Sequence, residues 1–155
     1  MSEVGTLGRP ARILLVEDNP DDIELTRLAF SQIDIEHELY IASDGFQAIS
    51  FLKREDAFTD ALRPDLILLD LNMPGKDGRD VLKEVKEDPS LRRIPVIVLT
   101  TSDAGADRLL TYSRHVNAYL TKPMDMEEWD AVVQAFADFW LRFVRYPPTD
   151  SKRGP

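Results

Sequence analysis

The sequence predicts an α/β protein in which a doubly wound parallel sheet of five strands carries helices on both faces. Short aliphatic runs closed by polar or turn residues recur along the chain, and a segment with helical spacing of apolar residues follows each of them. A uniformly apolar run suits a strand buried on both faces. Regular alternation of such strands with helices specifies a parallel sheet joined by right-handed crossovers. The periodicity does not fix the order of the strands.

The clearest strand is the run LILL at residues 66–69, which lies between Asp65 and Asp70 and is followed closely by Pro74-Gly75. It would deliver Asp70 to the carboxyl edge of the sheet, where open α/β folds bind ligands. Taken alone, Asp70 is better explained as a turn residue, which is a common position for aspartate, and only the rest of the chain reverses this. The other four strands are predicted at residues 13–16, 36–42, 94–99 and 118–120.

The helices are predicted from their start signals and apolar stripes. Asn19 is a capping residue, Pro20 suits the first helical position, and two acids follow in the positive first turn. The apolar stripe of this first helix is predicted as Leu25, Leu28, Ala29 and Ile33.

Three further helices follow the next strands. The second is predicted to begin at Asp44-Gly45, and the third ends near Asp88-Pro89 because the residue before a proline disfavours helix. The fourth spans residues 104–115 and is expected to turn Leu109 and Leu110 inward.

The length of 155 residues fits a single domain. We expect residues 1–10 to form a flexible arm, residues 11–146 the domain with an extended last helix, and residues 147–155 a tail. The formal net charge of −9 argues against non-specific nucleic-acid binding, and the lack of cysteine excludes disulfides and cysteine nucleophiles. The sequence shows no signal peptide and no membrane-spanning run, so a cytoplasmic location is expected.

Polar residues follow four of the predicted strands: Glu17-Asp18, Asp70, Thr100 and Lys122. The carboxyl ends of parallel strands lie on one edge of a sheet, so these side chains are expected to converge. Clustered carboxylates repel unless a cation lies among them, and oxygen ligands suit Mg²⁺. A metal, an ammonium and a hydroxyl together make a receptor for a phosphoryl group, which the ionised Asp70 would accept.

The sequence resembles the receiver domains of two-component response regulators. The matching motifs are LLVEDNP (14–20), LILLDLNMPG (66–75), VIVLTTS (96–102) and AYLTKP (118–123), and the resemblance extends from residue 13 to about residue 143. It implies a flavodoxin-like sheet with strand order 2-1-3-4-5. It also implies a phosphoacceptor signalling protein rather than an enzyme, with a sensor histidine kinase as its partner.

The resemblance implies a role for each site residue. Asp70 would be the phosphoacceptor, and Lys122 would pair with the phosphoryl oxygens through a side chain aimed by a cis bond to Pro123. Thr100 would turn to the phosphoryl group and vacate space for Tyr119, so these two residues would form the switch. The Mg²⁺ site, which Mn²⁺ or Ca²⁺ would also fill, is implied at Glu17, Asp18, Asp70 and the backbone carbonyl of Asn72.

Other readings of the same residues are weaker. The segment from Asp70 to Gly75 mimics part of an EF-hand loop, but Val81 stands where that loop needs its last ligand. No glycine-rich nucleotide-binding motif occurs. A phosphatase with an aspartate nucleophile is the enzymatic alternative, although haloacid-dehalogenase-like phosphatases carry Asp-x-Asp after their first strand, and this chain has Glu17-Asp18 there.

The output is expected to be a binding event, because the residues after Lys122 suffice for only one helix and a tail. A final helix is predicted over residues 125–145, and its aromatic surface exceeds what one domain covers easily. We therefore expect a homodimer through Phe136, Phe139, Trp140, Phe143, Val144 and Tyr146.

Finer motifs point to a subgroup. VEDNP, LTTS, HVNAYLTKP and FWL are together similar to the stand-alone regulators that partner bacterial phytochromes. Two alternatives stay open from the sequence: a chemotaxis-like adaptor, and a phosphorelay intermediate that passes its phosphoryl group to a histidine phosphotransfer protein.

Overall fold

The structure, a computed structural model, describes residues 3–55 and 58–148. It contains one five-stranded sheet in the order β2-β1-β3-β4-β5, and all four strand pairs are parallel. The predicted fold class and strand order are confirmed. The strands are β1 (Ala11–Val16), β2 (His37–Ala42), β3 (Leu66–Leu69), β4 (Val96–Thr100) and β5 (Ala118–Thr121).

The helices alternate with the strands: α1 (Pro20–Ser31), α2 (Gly45–Lys53), α3 (Gly78–Glu87), α4 (Gly105–Ser113) and α5 (Met126–Phe136). The predicted starts of α1 and α2 are confirmed, because Asn19 and Asp44 cap them with side-chain oxygens. Such a cap stabilises a helix by about 1 kcal/mol. No helix in the described ranges is long and apolar enough to cross a membrane.

The core lies on both faces of the sheet, as the apolar strand runs require. Alternate residues of a strand point to opposite faces, so Ile67 and Leu69 join the cluster that α2 and α3 cover, whereas Leu66 and Leu68 join the cluster under α1 and α5. All four residues of β3 are buried. The core therefore encloses the central strand on both faces, and Asp70 directly follows this strand.

The buried faces of two helices differ from the predictions. On α1, Leu28 is exposed and Phe30 is buried with Thr26, whose hydroxyl donates to the Asp22 carbonyl. On α4, Leu109 is 72% exposed and Thr111 is the buried residue. Both threonines satisfy their hydroxyls within their own helix, so each can face the core in place of a leucine.

The last helix is shorter than the predicted span of 125–145. After α5 the chain forms a π-helical turn over Ala137–Leu141. The Phe139 carbonyl then accepts the backbone N–H groups of both Phe143 and Val144, which closes the helix. Residues 142–148 continue without regular structure, and the rest of the predicted tail lies outside the described residues.

The N-terminal segment, expected to be a loose arm, lies against the domain in its described part. Glu3 exchanges backbone hydrogen bonds with Asp34 and Glu36 beside the start of β2 and forms an ion pair with Arg142. The Thr6 hydroxyl donates to the Val144 carbonyl at 2.7 Å. The two ends of the domain are thereby held together.

Candidate functional site

The polar residues at the strand ends converge, as predicted. Each of the residues Glu17, Asp18 and Asp70 places a carboxylate oxygen within 4.8 Å of the other two. The backbone continues the sheet ladder into the site, because the Asp70 N–H donates to the Val16 carbonyl and the Lys122 N–H donates to the Thr100 carbonyl. The positions of these side chains therefore follow from the strand register.

Lys122 is the centre of this cluster. Its ammonium lies 2.7 Å from Glu17 Oε1, 2.7 Å from Asp22 Oδ2 and 3.2 Å from Asp70 Oδ2. Its side chain is only 6% exposed. Burial by itself lowers the pKa of Lys122, but the hydrogen bonds to Asp22 and Glu17 outweigh burial and raise the pKa above its ordinary value. Lys122 is therefore a permanent positive charge in the site.

The environment of Glu17 disfavours its ionised form. Burial raises the pKa of Glu17 to about 7, and the negative charge of Asp70 acts in the same direction. The hydrogen bonds from Lys122 and from the Asn19 backbone N–H oppose that rise. Because the ionised form of Glu17 is disfavoured, a further cation nearby would stabilise it. The donor atoms are all oxygens, which suits a hard divalent ion.

The expected switch residues, Thr100 and Tyr119, contact a common neighbour, Ser102. The buried Thr100 hydroxyl is 3.4 Å from the Asn72 side-chain nitrogen and 3.4 Å from the Ser102 backbone nitrogen. The Tyr119 hydroxyl donates to the Ser102 carbonyl at 2.9 Å. Ser102 therefore links the two residues in this structure.

A second cationic cluster, not anticipated from the sequence, connects the loop after β3 to α4. Arg79 lies on the first turn of α3 and binds Asp107 of α4 through two nitrogens, at 2.9 and 2.8 Å. Asp107 also accepts the Ser102 hydroxyl at 2.5 Å. Arg79 reaches the Leu71 carbonyl and the Asn72 side chain, each at 3.4 Å.

Two glycines allow the loop after β3 to pack closely. Gly75 has a φ of 74°, a conformation that favours glycine. A Cβ on Gly78 would lie 2.0 Å from the Asp70 carbonyl oxygen. The first turn of α3 can therefore begin directly against the residue that precedes the loop.

One detail of the expected site is wrong: the bond between Lys122 and Pro123 is trans. The trans isomer is the more stable one for most residues before proline. The Lys122 ammonium reaches three carboxylates in this arrangement, so its placement does not require the cis bond.

The aromatic residues expected at a dimer interface divide into two groups. Phe136 is buried in the core, and Trp140 and Tyr146 are half-buried against it. Phe139 and Phe143 are 58% and 67% exposed. Val144 is half-buried, with its carbonyl bonded to Thr6.

A five-stranded sheet of order 2-1-3-4-5, with clustered carboxylates and a lysine at its carboxyl edge, defines the receiver class of signalling domains. Residues 13–134 match the family model described as the response regulator receiver domain. The chain belongs to this family, and it is a response regulator. This confirms the resemblance that the sequence motifs indicated.

Relatives of known identity extend over nearly the whole chain. Response regulator Rcp1 from Synechocystis sp. is 46% identical over 138 residues, which are 89% of this chain and 94% of the relative. The crystal structure of the Mn²⁺-bound form of response regulator Rcp1 superposes on this structure with a TM-score of 0.85. The match covers 90% of this chain and 100% of that chain.

Two phytochrome-associated structures are also similar. The phosphorylated cyanobacterial phytochrome response regulator RcpA is 44% identical, with a TM-score of 0.86 over 90% of this chain and 99% of that chain. The bacteriophytochrome response regulator AtBRR is 34% identical, with a TM-score of 0.72 over 90% of this chain and 99% of that chain.

Proposed function

We propose that this response regulator accepts a phosphoryl group on Asp70 from a phosphohistidine of a sensor histidine kinase. The observation that carries the proposal is the position of Asp70: it is buried beside the Lys122 ammonium and within the carboxylate cluster. A carboxylate oxygen of Asp70 attacks phosphorus, the phosphorus–nitrogen bond breaks, and the imidazole keeps the electron pair of that bond. The product is an aspartyl phosphate.

The residues that would hold a divalent cation are Glu17, Asp18 and Asp70, with the backbone carbonyl of Asn72. Mg²⁺ is the expected ion, with Mn²⁺ or Ca²⁺ as substitutes, and the Mn²⁺-bound relative supports this proposal. When bound, the ion would neutralise charge on the phosphoryl oxygens. Lys122 contributes the fixed positive charge from this chain, and the Thr100 hydroxyl, which now contacts the Asn72 side chain, would bond the same group.

The signal is proposed to leave the site through Thr100 and Tyr119. If the Thr100 hydroxyl turns toward the phosphoryl group, its contacts with Asn72 and Ser102 are lost. The Tyr119 hydroxyl, which now holds the Ser102 carbonyl, would then be free to move into the vacated space. This changes the surface around α4 and β5, which partner proteins would read.

The proposed kinase is a phytochrome. The support is that two similar proteins of nearly the same length, RcpA and AtBRR, are regulators of phytochrome systems. We also propose a cytoplasmic location, which the membership of this chain in the receiver-domain family supports.

The phosphorylation experiment is transfer of radiolabel from an autophosphorylated phytochrome kinase, with and without Mg²⁺. We expect the parent protein to be labelled only with Mg²⁺, and Asp70→Asn to remain unlabelled. Asp21→Asn is the matched control, because Asp21 is an exposed acid at the same edge of the sheet and should be labelled normally. Equal labelling of Asp70→Asn and the parent would overturn the proposal.

The proposed assembly is a homodimer through the surface that Phe139 and Phe143 expose. Large exposed aromatic groups close together favour an interface. Light scattering should show a dimer for the parent and a monomer for Phe143→Glu. Phe46→Glu is the control, since Phe46 is 64% exposed but lies on α2. A parent protein that is monomeric both before and after phosphorylation would contradict this assembly.

A further inference from the structure

The Lys122 ammonium has a carboxylate partner outside the group of three that would hold the metal. Asp22 Oδ2 lies 2.7 Å from Lys122 Nζ, whereas Asp70 Oδ2 lies 3.2 Å away. Asp22 is on the first turn of α1, one hundred residues from Lys122 in sequence. Its contact with the lysine is therefore a tertiary contact between α1 and the end of β5.

The ammonium has three N–H donors, and three carboxylates surround it. Lys122 Nζ donates hydrogen bonds to Asp22 Oδ2 and Asp70 Oδ2 and is ion-paired with Glu17 Oε1. A phosphoryl oxygen on Asp70 therefore competes with these carboxylates for the ammonium. The two shorter contacts, to Glu17 and Asp22, hold the ammonium on the α1 side of Asp70.

Asp22 differs from Glu17 in how its polar groups are used. Glu17 belongs to the carboxylate group that would hold the cation, and Asp22 does not. The backbone N–H of Asp22 donates to the Asn19 cap, and its carbonyl accepts the Thr26 hydroxyl. The described contact of its carboxylate is the one with Lys122.

We propose that Asp22 is a positioning residue for Lys122, one that competes with the phosphoryl group for the ammonium. The inference rests on the proposed phosphorylation of Asp70 and extends it. Asp22 keeps the lysine partly withdrawn from Asp70, and phosphorylation transfers one N–H of the ammonium from Asp22 to a phosphoryl oxygen. Asp22 thereby limits how strongly the phosphorylated form is favoured.

Removal of the Asp22 charge should therefore affect anions and cations in opposite directions. A phosphoryl-like anion gains a freed donor and loses a repulsive carboxylate, so it should bind more tightly. A divalent cation loses a nearby negative charge, so it should bind more weakly. A purely structural role for Asp22 would weaken both kinds of binding together.

The experiment uses beryllofluoride, an analogue of the phosphoryl group, at saturating Mg²⁺, and Mg²⁺ alone in a separate titration. Both are followed by amide chemical shifts for the parent, Asp22→Asn and Asp21→Asn. For Asp22→Asn we expect beryllofluoride to bind about threefold to tenfold more tightly and Mg²⁺ at least about threefold more weakly. For Asp21→Asn, which removes the same charge from the same helical turn, both affinities should change by less than about twofold.

Asp22→Ser serves as a second variant, because serine is also well tolerated in the first turn of a helix. Opposite shifts in either folded variant, with Asp21→Asn unchanged, support the proposal. Unchanged affinities, weakening of both ligands, or an equal effect in Asp21→Asn would overturn it. A parent protein that binds Mg²⁺ but no beryllofluoride would instead contradict the proposed phosphorylation of Asp70.

Discussion

Two cationic side chains organise the carboxyl edge of the sheet, and they do so from different kinds of position. Lys122 directly follows β5 and is almost fully buried. It binds the carboxylates of Glu17 and Asp70, which directly follow β1 and β3, and that of Asp22 on α1. Arg79 lies on α3, is 24% exposed, and joins the loop after β3 to Asp107 of α4. Lys122, which follows a strand, thus lies in the proposed phosphorylation site, whereas Arg79, on a helix, connects the loop after β3 to α4.

The difference in burial predicts a difference in energetic weight. When a buried cation is removed, its carboxylate partners are left without compensation, and water cannot easily replace it. When a partly exposed guanidinium is removed, water can more easily solvate the carboxylate that remains. The two clusters should therefore respond unequally to the same kind of substitution.

Lys122→Met should have the largest effect. Glu17 and Asp70 would be left buried with unpaired charges, so the free energy of unfolding should fall by about 3–5 kcal/mol. Labelling of Asp70 should also be lost, because the fixed positive charge is gone. The measurements are urea unfolding without metal and transfer of radiolabel from the kinase.

Saturating Mg²⁺ should restore part of the stability of Lys122→Met, because the ion supplies the missing positive charge. Lys83→Met is the control, since Lys83 is an exposed lysine on α3 and its loss should change stability by less than about 0.5 kcal/mol. A Lys122→Met protein as stable as the parent would show that the buried ammonium is not needed to balance the cluster.

Arg79→Gln should have a smaller and more local effect. Loss of its contacts with Asp107, the Leu71 carbonyl and the Asn72 side chain together should lower the free energy of unfolding by about 1–2 kcal/mol. Amide hydrogen exchange should rise in α4 more than in the sheet, because Arg79 joins that helix to the loop after β3. Beryllofluoride should still bind, since Lys122 and the carboxylates are untouched.

Arg108→Gln is the matched control for that experiment. Arg108 also pairs with an aspartate, Asp103, but this pair is at the surface and should contribute less than about 0.5 kcal/mol. Equal exchange in α4 for Arg79→Gln and Arg108→Gln would contradict the role of Arg79 as the connection to α4.

The same contrast explains what could be read from the sequence. Asp70, Thr100 and Lys122 were predictable because a parallel sheet brings every strand's carboxyl end to one edge, whichever strands are neighbours. The fold class followed from strand and helix periodicity, and the strand order followed from the resemblance. The positions of residues at the ends of strands can thus be predicted from the sequence pattern alone.

Asp22 and Arg79 were not predictable, because each acts through a partner on a distant element. Asp22 is accounted for locally as an acid in the first turn of a helix, and only the tertiary fold brings that turn to Lys122, the residue that follows β5. The starts of α1 and α3 both lie at the carboxyl edge, which is the one signal that could have drawn attention to both residues. The prediction for Leu109 fails for a different, local reason: Thr111 satisfies its hydroxyl within α4 and takes the buried position.

The smallest expected effect concerns the pH dependence of the Arg79 cluster. The hydrogen bonds from Arg79 and then Ser102 hold the pKa of Asp107 below its ordinary value. A carboxyl whose pKa is lower in the folded state stabilises that state at pH values above the unfolded pKa of about 3.9. This stabilisation is lost as the pH falls through the lower, folded pKa.

The measurement is the difference in unfolding free energy between the parent and Asp107→Asn as a function of pH. It should be constant above about pH 5 and shrink below about pH 4, with a plateau under about 1 kcal/mol because the pair is partly exposed. Glu17 has a raised pKa and gives the opposite slope between its ordinary value of 4.5 and about 7, but it is present in both proteins and cancels. A difference that stays constant down to pH values near 2 would mean that Asp107 remains charged throughout, or that its charge does not stabilise the fold. The same difference measured in the Arg79→Gln background would separate these two cases, because only a stabilising charge held by Arg79 would make the difference smaller there.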